Sequence, residues 1–136
     1  MIDLQKMLDA MAHSDMETRA NYHLTLGGLL EALGTAPDAM TVEFDTGGSP
    51  CRPHSYRGYY SDLALEKTSD TVTVASLRRE ADGALGNTFE GYKGGDFTMS
   101  ERTPLWNAYY GSCGSAIVDA AISDGKLVLS TKEIGR

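Results

Sequence analysis

The sequence predicts an α+β fold in which an antiparallel sheet packs against two or three short helices. Apolar residues at helical spacings of three and four positions occur upstream of Gly86. From Thr88 onward the pattern alternates as in strands and includes Asp124-Gly125, a strong signal for a tight hairpin turn. No linker divides the 136 residues, and this length suits one core. We therefore expect a single ligand-binding domain over residues 1–136.

The N-terminal segment, residues 1–22, is predicted to contain a helix followed by a hinge. Residues 3–13 carry apolar side chains at helical spacing, among them Met7 and Met11. Such a methionine-bearing stripe suits core packing or a subunit contact. Residues 14–22 are polar and are the predicted hinge. The segment is therefore a candidate oligomerisation element.

Two further helices are predicted from their end signals as well as from their apolar spacing. The second helix begins after the N-cap Thr25 and ends at Gly34, with Pro37 barring its continuation. The third begins after the N-cap Thr73 and ends at Gly86. Both helices present leucine-rich faces, so we expect them to cover one face of the sheet.

The strands are predicted from alternation of apolar and polar residues and from aromatic and β-branched content. Residues 45–55 are rich in glycine, serine and proline and are predicted to form a loop. The predicted strands cover residues 40–44, 59–66, 88–92, 97–99, 105–110, 116–122 and 126–134.

Charge and composition exclude several function classes. A net charge of −7 disfavours broad binding to the phosphate backbone of nucleic acids. Apolar runs are far shorter than the roughly twenty residues of a membrane span, so no membrane association is expected. The N-terminus lacks the pattern of a secretory signal, and two cysteines suit a reducing compartment. We therefore expect a cytoplasmic protein.

The first candidate site is a window without acidic residues, residues 46–61, in an otherwise acid-rich chain. It contains Tyr56, Arg57 and Tyr59 among small residues. An arginine fork matches a phosphate, and a tyrosine ring offers a stacking face. The window therefore suits a nucleotide-like anion. A surface loop whose arginines pair with carboxylates is the open alternative.

The second candidate site is the aromatic and glycine-rich block that begins at Phe89. Gly94 and Gly95 could turn backbone amides toward an anion, and Lys93 adds a positive charge. Phe89 or Tyr92 could stack on a base. An ordinary β-turn between two strands with sheet aromatics is the open alternative.

Signals for catalysis or metal binding are weak. Cys113 and His54 could form a nucleophilic pair, but no third orienting residue is evident. A zinc site from these two residues and Cys51 would lack a fourth ligand. Asp62 and Glu66 share a strand face, as carboxylates in any acidic protein can. We expect no catalytic residue, no metal and no cofactor.

Three blocks carry a resemblance to a known family: Leu24–Leu33, Ser55–Glu66 and Thr88–Met99. In this order they resemble the phage Thoeris anti-defence sponge proteins, the first-described of two families with that label. The blocks with their flanks span residues 24–133. The N-terminal helix and the segment Gly-Ser-Cys-Gly-Ser at 111–115 depart from the family pattern.

The resemblance implies a phage protein that sequesters a host immune signal without cleaving it. The implied ligand is a cyclic ADP-ribose isomer made by a TIR-domain enzyme, with cyclic oligonucleotides at a separate site. The resemblance also implies a homo-oligomer, either a dimer or a hexamer, with pockets at or near subunit boundaries. Only Arg57 and the block around Phe89 are carried over as pocket residues.

The leading hypothesis is therefore sequestration of a small anionic nucleotide. A nucleotide-signal hydrolase that uses Cys113 or a carboxylate pair is a second hypothesis. An inhibitor that binds a host defence enzyme through the methionine-rich N-terminal helix is a third. The predicted ligand-binding residues are Tyr56, Arg57, Tyr59, Phe89, Tyr92, Lys93, Gly94, Gly95 and Arg102.

Overall fold

The computed structural model confirms the α+β class and describes residues 15–55, 61–90, 96–109 and 112–133. The predicted helix at residues 3–13 lies outside these ranges. Within them the helices are α1 (residues 15–20), α2 (Leu26–Thr35) and α3 (Val74–Ala84). The strands are β1 (Thr41–Phe44), β2 (Ser49–His54), β3 (Leu63–Thr68), β4 (Thr88–Glu90), β5 (Asp96–Thr98), β6 (Leu105–Tyr109), β7 (Ser112–Ser123) and β8 (Lys126–Lys132).

The main sheet is mixed rather than purely antiparallel, which corrects one detail of the prediction. Its strand order is β1-β8-β7-β6-β3-β2, and β4 and β5 form a separate antiparallel pair. β1 pairs with β8, and β3 with β6, in parallel. Two parallel strands are joined by a long crossover connection, so no local hairpin signal in the sequence predicts their pairing. The other neighbours in the sheet are antiparallel, as expected.

α2 begins where the sequence predicts but ends differently. The Thr25 side chain accepts a hydrogen bond from the Gly28 backbone N–H at 3.1 Å, which confirms the N-cap. Gly34 is not the C-terminal stop, because the helix continues to Thr35 and ends at an extended Ala36. The residue before a proline avoids the helical region, so Pro37 sets this boundary.

α3 confirms both of its predicted end signals. The Thr73 side chain accepts from the Ser76 N–H at 3.2 Å, and Gly86 has a φ of +78° just beyond the helix. Leu85, which lies between the last helical residue and Gly86, is the C-cap. Together α2 and α3 cover one face of the sheet. The buried side chains of this core are Leu26, Leu29, Leu33, Ala36, Val42, Phe44, Leu63, Leu65, Val72, Val74, Leu77, Ala81, Ala84, Met99, Leu105, Ile117, Leu127 and Leu129.

The opposite face of the sheet carries a smaller apolar cluster and contacts α1. Ala64, Trp106, Cys113 and Ala116 form this cluster. Since successive side chains on a strand point to opposite faces, Trp106 lies across the sheet from the helix-facing Leu105. The His23 ring meets the Trp106 ring edge-on, with centroids 4.7 Å apart. The segment that contains α1 therefore covers this second face.

Two stretches predicted to be irregular are regular. Residues 15–20, part of the predicted hinge, form α1. Ser49–His54, in the predicted loop, form β2 at an edge of the sheet. Pro50 and Pro53 made this stretch resemble a loop, but an edge strand tolerates residues without a backbone N–H. The prediction of a continuous loop over residues 45–55 was therefore wrong.

The β7–β8 hairpin turns at Asp124 and Gly125, as predicted. Their φ angles are +51° and +76°, the left-handed conformation that this tight turn requires. Within the described part of the chain, no helix is both long enough and apolar enough to cross a bilayer.

Candidate functional site

The structure describes two of the predicted ligand-binding residues, Phe89 and Arg102. Arg102 pairs with Glu17 at 3.1 Å and donates to the Asn21 side chain at 3.1 Å. Phe89 lines a cavity, and Arg102 is not among the residues around it. The remaining predicted residues lie outside the described ranges: Tyr56, Arg57, Tyr59, Tyr92, Lys93, Gly94 and Gly95.

The cavity at Phe89 lies between α3 and the edge strand β2. Its volume is about 540 Å³, within the range of small-ligand sites. Polar and apolar side chains both line it, so it offers a stacking surface together with hydrogen-bonding groups. The lining residues are Pro53, Ser76, Arg79, Glu80, Gly83, Ala84, Asn87 and Phe89.

One face of α3 supplies most of the cavity wall. Ser76, Arg79, Glu80 and Gly83 recur at spacings of three and four and so lie along one side of the helix. This stripe adjoins the buried stripe that faces the core. A Cβ built on Gly83 would have no heavy atom within 4 Å. Because Gly83 has no side chain, the helix leaves open space at this point.

Phe89 supplies the aromatic wall. Its ring is half-buried and packs partly against the main core. The His54 ring lies beside it with centroids 5.4 Å apart and planes tilted by 45°. β4 carries Phe89, and its partner β5 carries Phe97 directly opposite. The hairpin and β2 thus position an aromatic ring at the edge of the cavity.

Two opposite charges on α3 line the same cavity without partners in the described part of the chain. Arg79 and Glu80 are both exposed, and neither forms an ion pair with a described residue. The neighbouring Arg78 differs, since it pairs with Asp38 at 2.7 Å and donates to the Leu33 carbonyl. An unpaired guanidinium is a ready partner for a phosphate or carboxylate.

Neither cysteine is placed as an activated nucleophile. Burial raises the pKa of the half-buried Cys51 thiol, with a smaller upward contribution from the Glu66 and Glu80 carboxylates. Cys113 is buried in β7, and β6 and β3 lie between that strand and the β2 strand of His54. The strand order therefore places Cys113 apart from His54 and gives no support to the alternatives of a nucleophilic pair or of a zinc site with Cys51.

Metal ligation has no support within the described ranges, where no group of three or more His, Cys, Asp or Glu residues could hold an ion. A second cavity, of about 480 Å³, lies near β1 and the turn before β2. It has no aromatic wall, and its lining lysine, Lys126, already pairs with Glu43 at 3.0 Å. For a planar anionic ligand the cavity at α3 is the better candidate.

The sequence predictions missed the α3 side of the cavity. Ser76, Arg79, Glu80 and Asn87 lie outside both windows that the sequence singled out. A signal was present, because these residues continue a polar stripe beside the apolar stripe of the helix. That stripe resembles an ordinary solvated face, and only its position beside β2 makes it the wall of a cavity.

Comparison with known proteins gives no match for this chain, whether with protein-family models, with curated proteins or with solved structures.

Proposed function

We propose that the protein binds a small anionic nucleotide in the cavity between α3 and β2 and sequesters it without cleaving it. One observation carries the proposal: the Arg79 guanidinium, which has no ion-pair partner among the described residues, and the half-buried Phe89 ring line the same cavity of about 540 Å³. A nucleotide needs a cationic group for its phosphate and a flat surface for its base, and this cavity offers both.

The neighbouring polar groups suit the same ligand. The Ser76 hydroxyl and the Asn87 amide can donate to phosphate oxygens beside Arg79. The base would stack on Phe89, next to the His54 ring. Each hydrogen bond to a charged group contributes about 1.5–3 kcal/mol, so a few such contacts support tight binding.

Sequestration fits the cavity better than hydrolysis. A raised pKa favours the protonated, weakly nucleophilic form of the Cys51 thiol, and Cys113 lies on the other face of the sheet. The described walls also contain no cluster of metal ligands. A binder that holds its ligand intact needs neither an activated nucleophile nor a metal.

The resemblance to phage sponge proteins suggests which nucleotide is bound. The block Thr88–Met99 contains Phe89, and the block Ser55–Glu66 directly follows the β2 residues beside the cavity. We therefore propose a cyclic ADP-ribose isomer as the ligand and a phage protein acting in the host cytoplasm. A homo-oligomeric assembly, a dimer or a hexamer, is part of the same proposal.

Titration calorimetry tests the proposal with cyclic ADP-ribose isomers and cyclic oligonucleotides on wild type, Arg79→Ala and Arg52→Ala. Arg52 is the matched control because it is exposed outside the cavity, 3.6 Å from Glu66. We expect Arg79→Ala to weaken binding by roughly ten- to a hundredfold, the loss of one charge-assisted contact. Arg52→Ala should bind as wild type does.

Recovery of the ligand separates a sponge from an enzyme. After hours of incubation and denaturation of the protein, chromatography should return the bound nucleotide unchanged. Conversion of the ligand would contradict sequestration. Failure of every nucleotide to bind wild type would remove the proposal altogether.

A further inference from the structure

We propose that Glu80 determines specificity in this cavity by accepting hydrogen bonds from the vicinal hydroxyls of a ribose while Arg79 holds the phosphate. The cavity would then select ribonucleotides over deoxyribonucleotides and over inorganic polyphosphates. This inference rests on the proposed function and adds a second recognition element to the same site.

The first argument is the charge of the cavity wall. Arg79 alone would suffice for an anion, yet the adjacent Glu80 also lines the cavity and has no cationic partner among the described residues. A carboxylate beside a bound phosphate is unfavourable because the two negative charges repel each other. Hydrogen bonds that the carboxylate accepts from the same ligand offset this repulsion. A ligand that carries both an anionic group and hydroxyl donors satisfies both side chains.

The second argument is the order of the two charges across the helix. Successive residues on a helix are about 100° apart, and the core-facing stripe of α3 includes Leu77, Ala81 and Ala84. On this wheel Glu80 lies closer to the core stripe than Arg79 does. Glu80 therefore lies nearer the sheet side of the helix and Arg79 nearer its solvent side, and both side chains are exposed.

A third observation agrees with this order. Glu80 and the β2 residue Pro53 line the same cavity, and the Glu80 carboxylate makes a small contribution to the raised pKa of the Cys51 thiol in β2. A phosphate at Arg79 and a ribose at Glu80 would direct the base toward Phe89, which lines the same cavity.

Discrimination follows from what each ligand can donate. A ribose offers two neighbouring hydroxyls, which one carboxylate accepts together, as acidic residues do in dinucleotide sites. A 2′-deoxyribose offers one fewer donor. Pyrophosphate offers none and adds negative charge, so Glu80 would oppose it.

The test is calorimetry of the full chain with adenosine 5′-monophosphate, its 2′-deoxy analogue and pyrophosphate, comparing wild type with Glu80→Gln. Asp82→Asn is the matched control, because Asp82 is an exposed acid of α3 that does not line the cavity. Wild type should prefer the ribonucleotide by about tenfold, the difference of one charge-assisted hydrogen bond.

In Glu80→Gln that preference should fall to within about threefold, and pyrophosphate should bind about tenfold more tightly than to wild type. Asp82→Asn should keep the wild-type preference. If the two substitutions had equal effects, the loss of one negative charge would explain the result, and the inference would be overturned.

The two proposals fail in different ways. If Arg79→Ala abolishes binding of the cyclic ligands but Glu80→Gln leaves the ribose preference unchanged, only the role of Glu80 is overturned. If wild type binds the cyclic ligands but not adenosine 5′-monophosphate, the inference is likewise overturned. If wild type binds no nucleotide, both proposals fail.

Discussion

The indole N–H of Trp106 donates a 2.8 Å hydrogen bond to the Asp62 carboxylate, and both side chains are almost fully buried. The same carboxylate receives two hydrogen bonds from the Arg19 guanidinium, at 2.6 and 2.8 Å. One buried acid thus joins α1 to the second face of the sheet. A buried charge is tolerated only when paired and hydrogen-bonded, which is the case here.

Asp62→Asn should destabilise the protein strongly. The Arg19 side chain is only 15% exposed and would lose the counter-charge that Asp62 provides. Removing one partner of a buried ion pair costs about 3–5 kcal/mol. Urea denaturation followed by circular dichroism measures this loss in the free energy of unfolding.

Glu43→Gln is the control for that prediction. Its pair with Lys126 at 3.0 Å is about half exposed at both ends, and such surface pairs contribute about 0–1 kcal/mol. A change of similar size in the two variants would show that the Asp62 network does not anchor α1.

His23 should make the protein less stable in mild acid. Burial is the main cause that lowers the pKa of this imidazole from its ordinary 6.5, and the Arg19 charge lowers it further. The Leu105 carbonyl and the Asp62 carboxylate raise this pKa, but by less than burial and the Arg19 charge lower it. In the unfolded chain His23 takes up a proton as the pH falls through 6.5, whereas in the folded protein it remains neutral to lower pH.

The unfolded state therefore binds more protons, and the free energy of unfolding should decrease as the pH falls below about 6.5, by at most about 1.4 kcal/mol per pH unit. Denaturation at a series of pH values between about 7.5 and 5.5 measures the slope, since most carboxylates titrate below this window. His23→Gln should flatten it, and His54→Gln should retain it. If the free energy of unfolding of His23→Gln kept the wild-type dependence on pH, a group other than His23 would be its cause.

Gly83→Ala should stabilise the protein, and Gly83→Leu should block the cavity. The position is helical and faces open space, so alanine gains about 0.5–1 kcal/mol of helix propensity without a clash. Leucine would extend into the cavity and clash with a bound ligand. It should therefore weaken binding of the cyclic nucleotides by about tenfold or more in calorimetry.

Two other helical glycines provide contrasts. Gly34→Ala also meets no heavy atom within 4 Å but lies in α2, so it should leave ligand binding unchanged. Gly27→Ala should destabilise, because its Cβ would lie 2.9 Å from the Glu101 Cβ and 3.0 Å from the Glu101 carbonyl oxygen. Stabilisation by Gly27→Ala would contradict the close approach of α2 to that turn.

Phe89→Leu should weaken nucleotide binding while keeping most of the apolar volume. Stacking of a base on an aromatic ring is worth about 1–3 kcal/mol, so we expect a loss of roughly five- to a hundredfold in affinity. Phe97→Leu changes its cross-strand neighbour, which does not line the cavity, and should bind as wild type does. Equal losses in both variants would indicate damage to the hairpin rather than lost stacking.

Much of the α+β architecture was predictable because its signals are local. Thr25 and Thr73 each cap a helix three residues upstream of the amide they bind. Asp124 and Gly125 adopt the left-handed turn that their residue types favour. Gly34 failed as a stop signal because Pro37 acts on the preceding residue and sets the end of α2 more strongly.

The candidate site was only partly predictable. Phe89 was singled out because aromatic and glycine residues cluster beside it in the sequence, and it lines the cavity. Arg79 and Glu80 were missed because a charged pair on an exposed helix face is the ordinary pattern of a solvated helix. Arg102 was singled out as a cation, but its pairing with Glu17 depends on where α1 lies.

By itself, the sequence determined the α+β class, the start of two helices, the β7–β8 turn and an aromatic residue of the candidate site, since each depends on neighbours along the chain. Only the tertiary structure decided the parallel pairing of β1 with β8 and of β3 with β6, the burial of Asp62 and the position of the α3 stripe beside β2. These features join residues separated by long crossovers, and the free energy that selects them comes from burying apolar surface across the whole domain.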